Sequence, residues 1–302
     1  MAELNPAAVP LSLYIHMPWC VRKCPYCDFN SHAVPDGQLS LELEQEYLRA
    51  LVEDFKTQVD FAQGRQIHSV FIGGGTPSLI SALGYQWLFD QLKAVIPFAE
   101  GCEITLEANP GTVEHDPFAG YLQAGINRLS IGVQSFNTEH LKRLGRIHSN
   151  EDAISAIGLA REAGFQRINV DLMHGLPEQT LEQALHDLKL AVEQGATHIS
   201  WYQLTIEPNT VFFRTQPILP VDEVLEDIQE QGELYLKAQG FINYEVSAWR
   251  KELPSAHNLN YWQFGDYLAI GAGAHGKVTQ PDGVYRFQKT RLPKDYLAKV
   301  PA

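Results

Sequence analysis

Positive charge is scarce in this sequence. Lys and Arg number 23 against 36 Asp and Glu, a formal net charge of -13, which argues against a general affinity for nucleic acid, where Lys and Arg must neutralise phosphates. Long apolar runs are missing too. The opening MAELNPAAVPLSLYIHMPWC starts acidic and polar, and its short apolar segment is interrupted by His16 and Pro18, so it reads neither as a signal peptide nor as a membrane span. The expectation is a cytoplasmic chain. Cysteine occupies only four of 302 positions, too few for a disulfide scaffold at this size. Yet three of the four, Cys20, Cys24 and Cys27, stand together in WCVRKCPYCDF, a concentration that points to metal or redox chemistry. The rest of the composition, 45% hydrophobic and 20% charged, is that of a globular chain able to bury a large core.

Short runs rich in β-branched and aromatic residues recur: SLYIHMP (12–18), SVFIGGG (69–75), CEITLEANP (102–110), RLSIGVQS (128–135), RINVDLMHGLP (167–177) and HISWYQLTIEP (198–208). Between them lie stretches with apolar residues at helical spacing, such as LSLELEQEYLRALVEDFKTQV, YQWLFDQLKAV, EDAISAIGLAREAG and TLEQALHDLKLAVEQG. The alternation predicts an α/β fold, a mostly parallel sheet with crossover helices and strands buried on both faces. Six such strands over residues 1–208 give a partial (β/α)6 TIM-like barrel rather than a closed eight-stranded one. Over residues 209–302 the order changes. An acidic helix, VDEVLEDIQEQGELYLKAQG, whose run Asp222 to Glu233 reads as a solvated face, precedes FINYEVSAW and YLAIGAGAHG, expected to extend the sheet of the same domain at one edge. In such folds ligands gather at the C-terminal strand ends, where this chain places His16, Gly73 to Thr76, Glu107, Gln134, Asp171 and His174.

On a helix, positions 20, 24 and 27 would form one stripe. Pro25 would break that helix, so the segment reads as a loop after the first strand, with three thiols free to converge on one point. Two metal chemistries are open. Structural zinc takes four ligands, and His16 or His32 would complete a Cys3His set. An iron–sulfur cluster on three cysteines instead leaves one iron without a protein ligand, where a substrate can coordinate. Arg22 and Lys23 would offset the charge of a thiolate-bound cluster, or serve only as exposed solubilising groups. Cys102, far from the motif, reads as a small buried or partly exposed thiol.

With this cysteine spacing, an aromatic at Tyr26, and GGGTP (Gly73 to Pro77) ending the second strand, the chain resembles the radical S-adenosylmethionine (SAM) family. Glycines there let the backbone approach a zwitterionic ligand. YIHMPWC, GGGTPS, LEANPG, SIGVQSF, LGRIHS and DLMHGLP extend the resemblance over nearly the whole chain, to the oxygen-independent coproporphyrinogen oxidases and their close relatives. It implies a [4Fe–4S] cluster on Cys20, Cys24 and Cys27, and one or two SAM molecules held by Tyr14, Tyr26, Gly74, Gly75, Thr76, Glu107, Gln134, Arg146 and Asp171. Glu107 would take the α-amino group or a ribose hydroxyl, Arg146 a carboxylate and Asp171 a ribose. Taken singly, Glu107 and Asp171 also read as helix N-caps, Gln134 as a satisfied loop group and Arg146 as a surface charge.

Two features divide that group. Its oxidases carry a further cysteine two residues after the third, where this chain has Phe29, a side chain that can neither ligate nor donate a proton. HNLNYW, His257 to Trp262, matches the HNxxYW motif of the group's heme chaperones. The resemblance implies heme ligation by His257, with Tyr261 and Trp262 packed on the macrocycle; a helix cap followed by core aromatics is the structural alternative. Three functions stand side by side. The first is a heme chaperone that binds a cluster, SAM and heme, and passes heme to an acceptor hemoprotein of the respiratory, membrane-bound kind, from the cytoplasm with peripheral membrane contact. The second is porphyrin metabolism proper, oxidative decarboxylation of porphyrinogen propionates through one-electron cleavage of SAM. The third is a zinc-stabilised barrel without redox chemistry. Phe29 and HNLNYW favour the first. His148, His174 and His275 lie near strand ends or glycine loops and read as hydrogen-bonded structural histidines. Relatives in the group continue into a C-terminal helical, winged-helix-like domain, and the segment ending LPKDYLAKVPA shows no such domain.

Overall fold

The computed structural model describes residues 4–34, 37–111 and 117–299. β1 (Leu11–Met17) is buried at every position but one. β2 (Trp19–Cys20) and β3 (His32–Ala33) pair in parallel and close the cysteine loop at its base. Crossovers follow: α1 (Leu41–Lys56) and α2 (Val59–Ala62) lead to β4 (Ile67–Gly74), α3 (Ala82–Val95) to β5 (Phe98–Ala108), and α4 (Phe118–Gln123) to β6 (Arg128–Gln134). α5 (Thr138–Arg143) and α6 (Asn150–Glu162) lead to β7 (Ile168–His174), and α7 (Leu181–Glu193) to β8 (His198–Gln203). The helices begin where side chains cap them. The Ser40 hydroxyl accepts from the Leu43 N–H at α1, and Ser149 and Thr180 form capping boxes at α6 and α7. β1, β4, β5, β6, β7 and β8 pair in that order, all parallel. These are the six expected strands, and β6 is buried throughout, as strands covered on both faces must be.

The chain continues through α8 (Val211–Thr215), α9 (Asp222–Ala238), β9 (Ile242–Asn243), β10 (Ala248–Arg250), α10 (Ala256–Trp262), β11 (Asp266–Ile270), β12 (His275–Gln280), β13 (Gly283–Gln288) and α11 (Pro293–Lys299). Here the expectation of an extension at one edge is corrected: the strands extend the sheet at both. β10 and β9 join antiparallel beyond β8, while β11 lies parallel against β1 and carries β12 and β13 antiparallel. The six parallel strands leave rows of unpaired backbone groups at β1 and at β8, and the returning chain covers each. The product is one open sheet of eleven strands.

Buried charges fasten the late strands to the early helices. Asp266, at the start of β11, is fully buried and pairs with Arg65 at 2.8 Å and Lys277 at 3.0 Å. Asp54 of α1 accepts from the Tyr296 hydroxyl at 2.7 Å and pairs with Lys289. Each buried carboxylate is thus matched, as burial requires. α9 buries Ile228, Gly232 and Leu236 and turns most of its acidic residues outward. Among the described residues no helix is long and apolar enough to cross a membrane.

Candidate functional site

Cys24 to Cys27 forms a turn, closed by the Cys27 N–H donating to the Cys24 carbonyl at 3.1 Å. Its frame is fixed on both sides. The His32 and Val34 N–H groups donate to the Pro18 and Cys20 carbonyls, and the Phe212 N–H donates to the Pro25 carbonyl at 3.0 Å. Tyr26 packs on a small apolar cluster that includes Leu144, Met173 and Phe212. Held in this way, the three cysteines line one cavity of about 340 Å³. Tyr26, Gly74, Gly75, Thr76, Glu107, Gln134, Arg146 and Asp171 line the same cavity, so all the expected SAM residues except Tyr14 meet there. Asn109, Ser130 and Tyr202 line it too. They were missed, although Asn109 stands inside LEANPG, between Glu107 and the proline that ends the strand.

The glycine loop is bound directly to the start of the cysteine loop. The Gly75 N–H donates to the Met17 carbonyl and the Thr76 N–H to the Trp19 carbonyl, each at 2.6 Å. A Cβ on Gly75 would lie 2.3 Å from the Trp19 carbonyl oxygen, and Gly74 adopts φ +114 with its missing Cβ directed at the His16 ring. Neither position tolerates a side chain. The Ser31 hydroxyl lies 4.0 Å from Cys27 Sγ. At the end of β6 a bulge shifts the register between Gly132 and Gln134, and Gln134 takes a left-handed φ of 68. Such strain on a non-glycine residue re-aims the side chain, and the Gln134 amide oxygen accepts from the Tyr202 hydroxyl at 2.9 Å.

Two carboxyls and one guanidinium dominate the electrostatics. Burial, followed by the charge of Asp171, pushes the Glu107 carboxyl up to about 8, even though it accepts from the Gly74 N–H at 3.1 Å. Burial also raises Asp171, against hydrogen bonds from Ser130, Ser200 and Asn169. A pair of carboxyls so placed favours a cation between them. The Arg146 Nη2 donates to the Gly132 carbonyl at 2.6 Å and to Asn109 Oδ1 at 2.7 Å, while Nη1 faces Cys24 Sγ at 3.6 Å. Its buried Nε has no partner among the described residues. Burial raises the thiols of Cys20 and Cys27, so protons must leave before a metal binds.

Among the described residues no three His, Cys, Asp or Glu side chains form a group able to hold a single metal ion. The Cys3His zinc set completed by His16 or His32 therefore finds no counterpart there. His16 and His32 are turned to Asn30 instead, at 2.8 Å and 3.3 Å. A [4Fe–4S] cube asks for a wider arrangement, one thiolate to each of three irons, and a cavity edged by three thiols fits it. Paired carboxyls for an ammonium or ribose, and a fixed guanidinium beside Cys24, fit a SAM molecule at the fourth iron.

Other expected residues lie elsewhere. Tyr14 faces a second cavity, of about 580 Å³, whose wall shares Gly74, Glu107 and Phe29 with the first. The Tyr14 hydroxyl lies 2.9 Å from His16 Nδ1. His257 lines neither cavity. Its Nδ1 lies 3.1 Å from the Ser69 hydroxyl and its Nε2 lies 2.9 Å from the Tyr261 hydroxyl, so neither nitrogen is open to an iron in this conformation. Burial pushes its pKa down to about 3. The segment is held by Ser255, which caps α10, and by Glu103, which accepts from the Ala256 and His257 N–H groups. Tyr261 reaches the second cavity, whereas Trp262 is exposed on the surface. His148 bonds the Val133 carbonyl, the His174 ring lies tilted against Trp201 with centroids 4.3 Å apart, and His275 opens onto the second cavity. Cys102 is buried, its thiol pushed up to about 12.

The model of the radical SAM superfamily matches residues 14–191. The heme chaperone HemW of Haemophilus influenzae is 56% identical over 298 residues, 97% of this chain and 77% of the relative. The heme chaperone HemW of Escherichia coli is 56% identical over 290 residues, 95% of this chain and 76% of the relative. Among solved structures, the radical SAM coproporphyrinogen III oxidase (HemN) of Escherichia coli superposes with a TM-score of 0.81 at 26% identity, covering 97% of this chain and 69% of that one. With the cysteine loop, the glycine loop and the strand-end polar residues assembled at one cavity, the chain belongs to the radical SAM superfamily and, within it, to the family of the HemW proteins.

Proposed function

We propose that the protein is a heme chaperone that carries a [4Fe–4S] cluster on Cys20, Cys24 and Cys27, binds SAM in the adjoining cavity, and transfers heme to an acceptor hemoprotein. The observation that carries this reading is the 56% identity to the heme chaperone HemW of Haemophilus influenzae, sustained over 298 residues. Glu107 and Asp171 would receive the ammonium and ribose of SAM, and Arg146 its carboxylate. Cys20, Cys24 and Cys27 would hold the cluster, whose chemistry when bound and reduced would be one-electron transfer to a sulfonium. Gln134, Gly74, Gly75 and Thr76 would complete the cradle, and Tyr26 would anchor the cluster loop. The acceptor would be a respiratory hemoprotein at the membrane, met by a cytoplasmic chaperone.

The superposition on the coproporphyrinogen oxidase keeps a second reading in play, oxidative decarboxylation of porphyrinogen propionates. Phe29 weighs against it. It stands where those oxidases carry a cysteine, and it borders both cavities with 60% of its surface exposed. Anaerobic reconstitution of the cluster, followed by hemin titration and by incubation with SAM, reductant and coproporphyrinogen III, separates the two. Saturable hemin binding without a decarboxylated product supports the chaperone; substrate-dependent decarboxylation refutes it.

A further inference from the structure

Gln134 is held in a backbone conformation that its residue type does not favour. The Ser135 N–H donates to the Val133 carbonyl at 2.9 Å, closing a three-residue turn centred on Gln134, whose φ is 68. With positive φ this is the rare, strained form of that turn. Strain of this kind persists only where the surrounding structure imposes it. On the strand side, the Val133 carbonyl also meets His148 Nε2 at 3.0 Å. On the other side, a single residue holds both positions that follow.

That residue is Asp187 of α7. Its Oδ2 accepts from the Ser135 hydroxyl at 2.7 Å and its Oδ1 from the Phe136 N–H at 2.8 Å. Asp187 is 1% exposed, and among the described residues no Lys, Arg or His pairs with its carboxyl. Burial pushes the group up to about 7, against those two hydrogen bonds. A buried carboxyl without a cation is unfavourable; what it offers here is two acceptor oxygens, side by side, for two donors of one corner. α7 is fixed in rotation as it presents this group. Gln183, one turn earlier on the same face, closes the capping box with Thr180, and its Oε1 lies 3.1 Å from His140 Nε2 of α5. Asp187 does not line the cluster cavity, whereas Gln134 does. The clamp reaches the cavity from outside it.

We propose that Asp187 is a positioning residue for SAM: its carboxyl clamps Ser135 and Phe136, imposes the left-handed turn at Gln134, and so aims the Gln134 amide into the cluster cavity. The assignment rests on the reading of that cavity as a SAM site.

The test is equilibrium dialysis of SAM against the anaerobically cluster-reconstituted protein, for Gln134→Ala, Asp187→Ala and the double variant. Each single variant is expected to raise the SAM Kd about tenfold. The double variant is expected to bind no more weakly than Gln134→Ala, because Asp187 acts through that side chain. Asp187→Asn still offers an acceptor to the Phe136 N–H and an amide group to the Ser135 oxygen, and is expected to recover most of the affinity. Iron content and the electron paramagnetic resonance of the reduced cluster without SAM should match wild type throughout. If Asp187→Ala does not fold, Ser135→Ala, which removes one of the two donors, takes its place in the cycle with the same expected outcomes. Single effects that multiply in the double variant, or a wild-type Kd in Asp187→Ala beside a weakened Gln134→Ala, overturn the positioning role and leave the SAM cavity standing. Absence of saturable SAM binding by the wild type overturns the reading of the cavity and the positioning role together.

Discussion

His257 Nε2 lies 2.9 Å from the hydroxyl of Tyr261, one turn further along α10, while Nδ1 lies 3.1 Å from the Ser69 hydroxyl of β4. The ring therefore bridges a helix to the central sheet. Replacing it with alanine leaves a cavity and strips two hydroxyls of a partner, so His257→Ala should lose about 2–4 kcal/mol of stability. Denaturant unfolding of the purified variant checks this, and hemin binding that falls only in step with the folded fraction marks the loss as structural.

Acid should destabilise the protein through histidines held neutral. Burial pushes His257 down to about 3, and His148, His174 and His198 each to about 4. In the unfolded chain these groups take up protons near their ordinary value of about 6.5. The native state refuses those protons until far lower pH, so the contribution is complete above about 6.5 and is lost as pH falls toward about 4. Each group adds at most about 1.4 kcal/mol per pH unit to the slope. Melting temperatures between pH 4.5 and 7.5 should fall steeply at the acid end; a flat profile would contradict the burial of these rings.

Glu107 acts in the opposite sense. Its carboxyl is raised to about 8, so the native state holds a proton that the unfolded chain releases near about 4.3. The ligand-free protein loses stability as pH rises through that interval. Glu107→Gln reproduces the protonated shape without the cost of ionisation, and should stabilise the ligand-free protein by about 1–3 kcal/mol at pH 8. The same variant should bind SAM at least tenfold more weakly. Paired thermal melts and equilibrium dialysis would reveal the trade; a destabilised Glu107→Gln would mean that the carboxylate is already matched in the free protein.

Each of Cys20→Ala, Cys24→Ala and Cys27→Ala should reduce reconstituted iron and the broad visible absorption of the cluster to near background, whereas Cys102→Ser should retain both. Because burial raises the Cys20 and Cys27 thiols, loading should also slow as pH is lowered from 8.5 to 7. Iron content that persists in the Cys24→Ala protein would point to a different ligand set.

Arg146→Lys keeps a positive charge beside Cys24 but cannot reproduce the fork that reaches the Gly132 carbonyl and Asn109 at once. Cluster content should remain near wild type while SAM binding weakens about tenfold. Electron paramagnetic resonance of the reduced cluster, with and without SAM, separates the two effects.

The parallel strands were legible because each is a β-branched run long enough to be buried on both faces, as RLSIGVQ shows from end to end. β5 begins earlier than its apolar run suggests, since Glu100 and Gly101 at its exposed start carry no strand signal. The splitting of the last strands between the two edges was not legible, because nothing local to YLAIGAGAHG says that its partner is β1. The cluster cavity could be read from spacing and strand ends. That Tyr14 faces the adjacent cavity was not legible, because its contacts with His16 and Phe71 come from the pairing of β1 with β4 and from the ring packing around it. For His257 the motif gives the residue type, and the structure adds the Ser69 and Tyr261 hydroxyls its ring nitrogens meet, which no motif states.

The pairing of β1 with β11 joins the first major strand of the chain to one of its last, Leu11 to Asp266. During translation, β1 and the cysteines just after it leave the ribosome long before that neighbour exists. At ~5–20 residues per second the delay is on the order of ten seconds to a minute. Throughout that interval one side of β1 presents free backbone donors and acceptors, and the Asn30 contacts to the Ala272 and Arg291 carbonyls that brace the cysteine loop are not yet made. The nascent chain therefore passes through a stage in which Cys20, Cys24 and Cys27 are already synthesised while the loop that carries them is still unbraced.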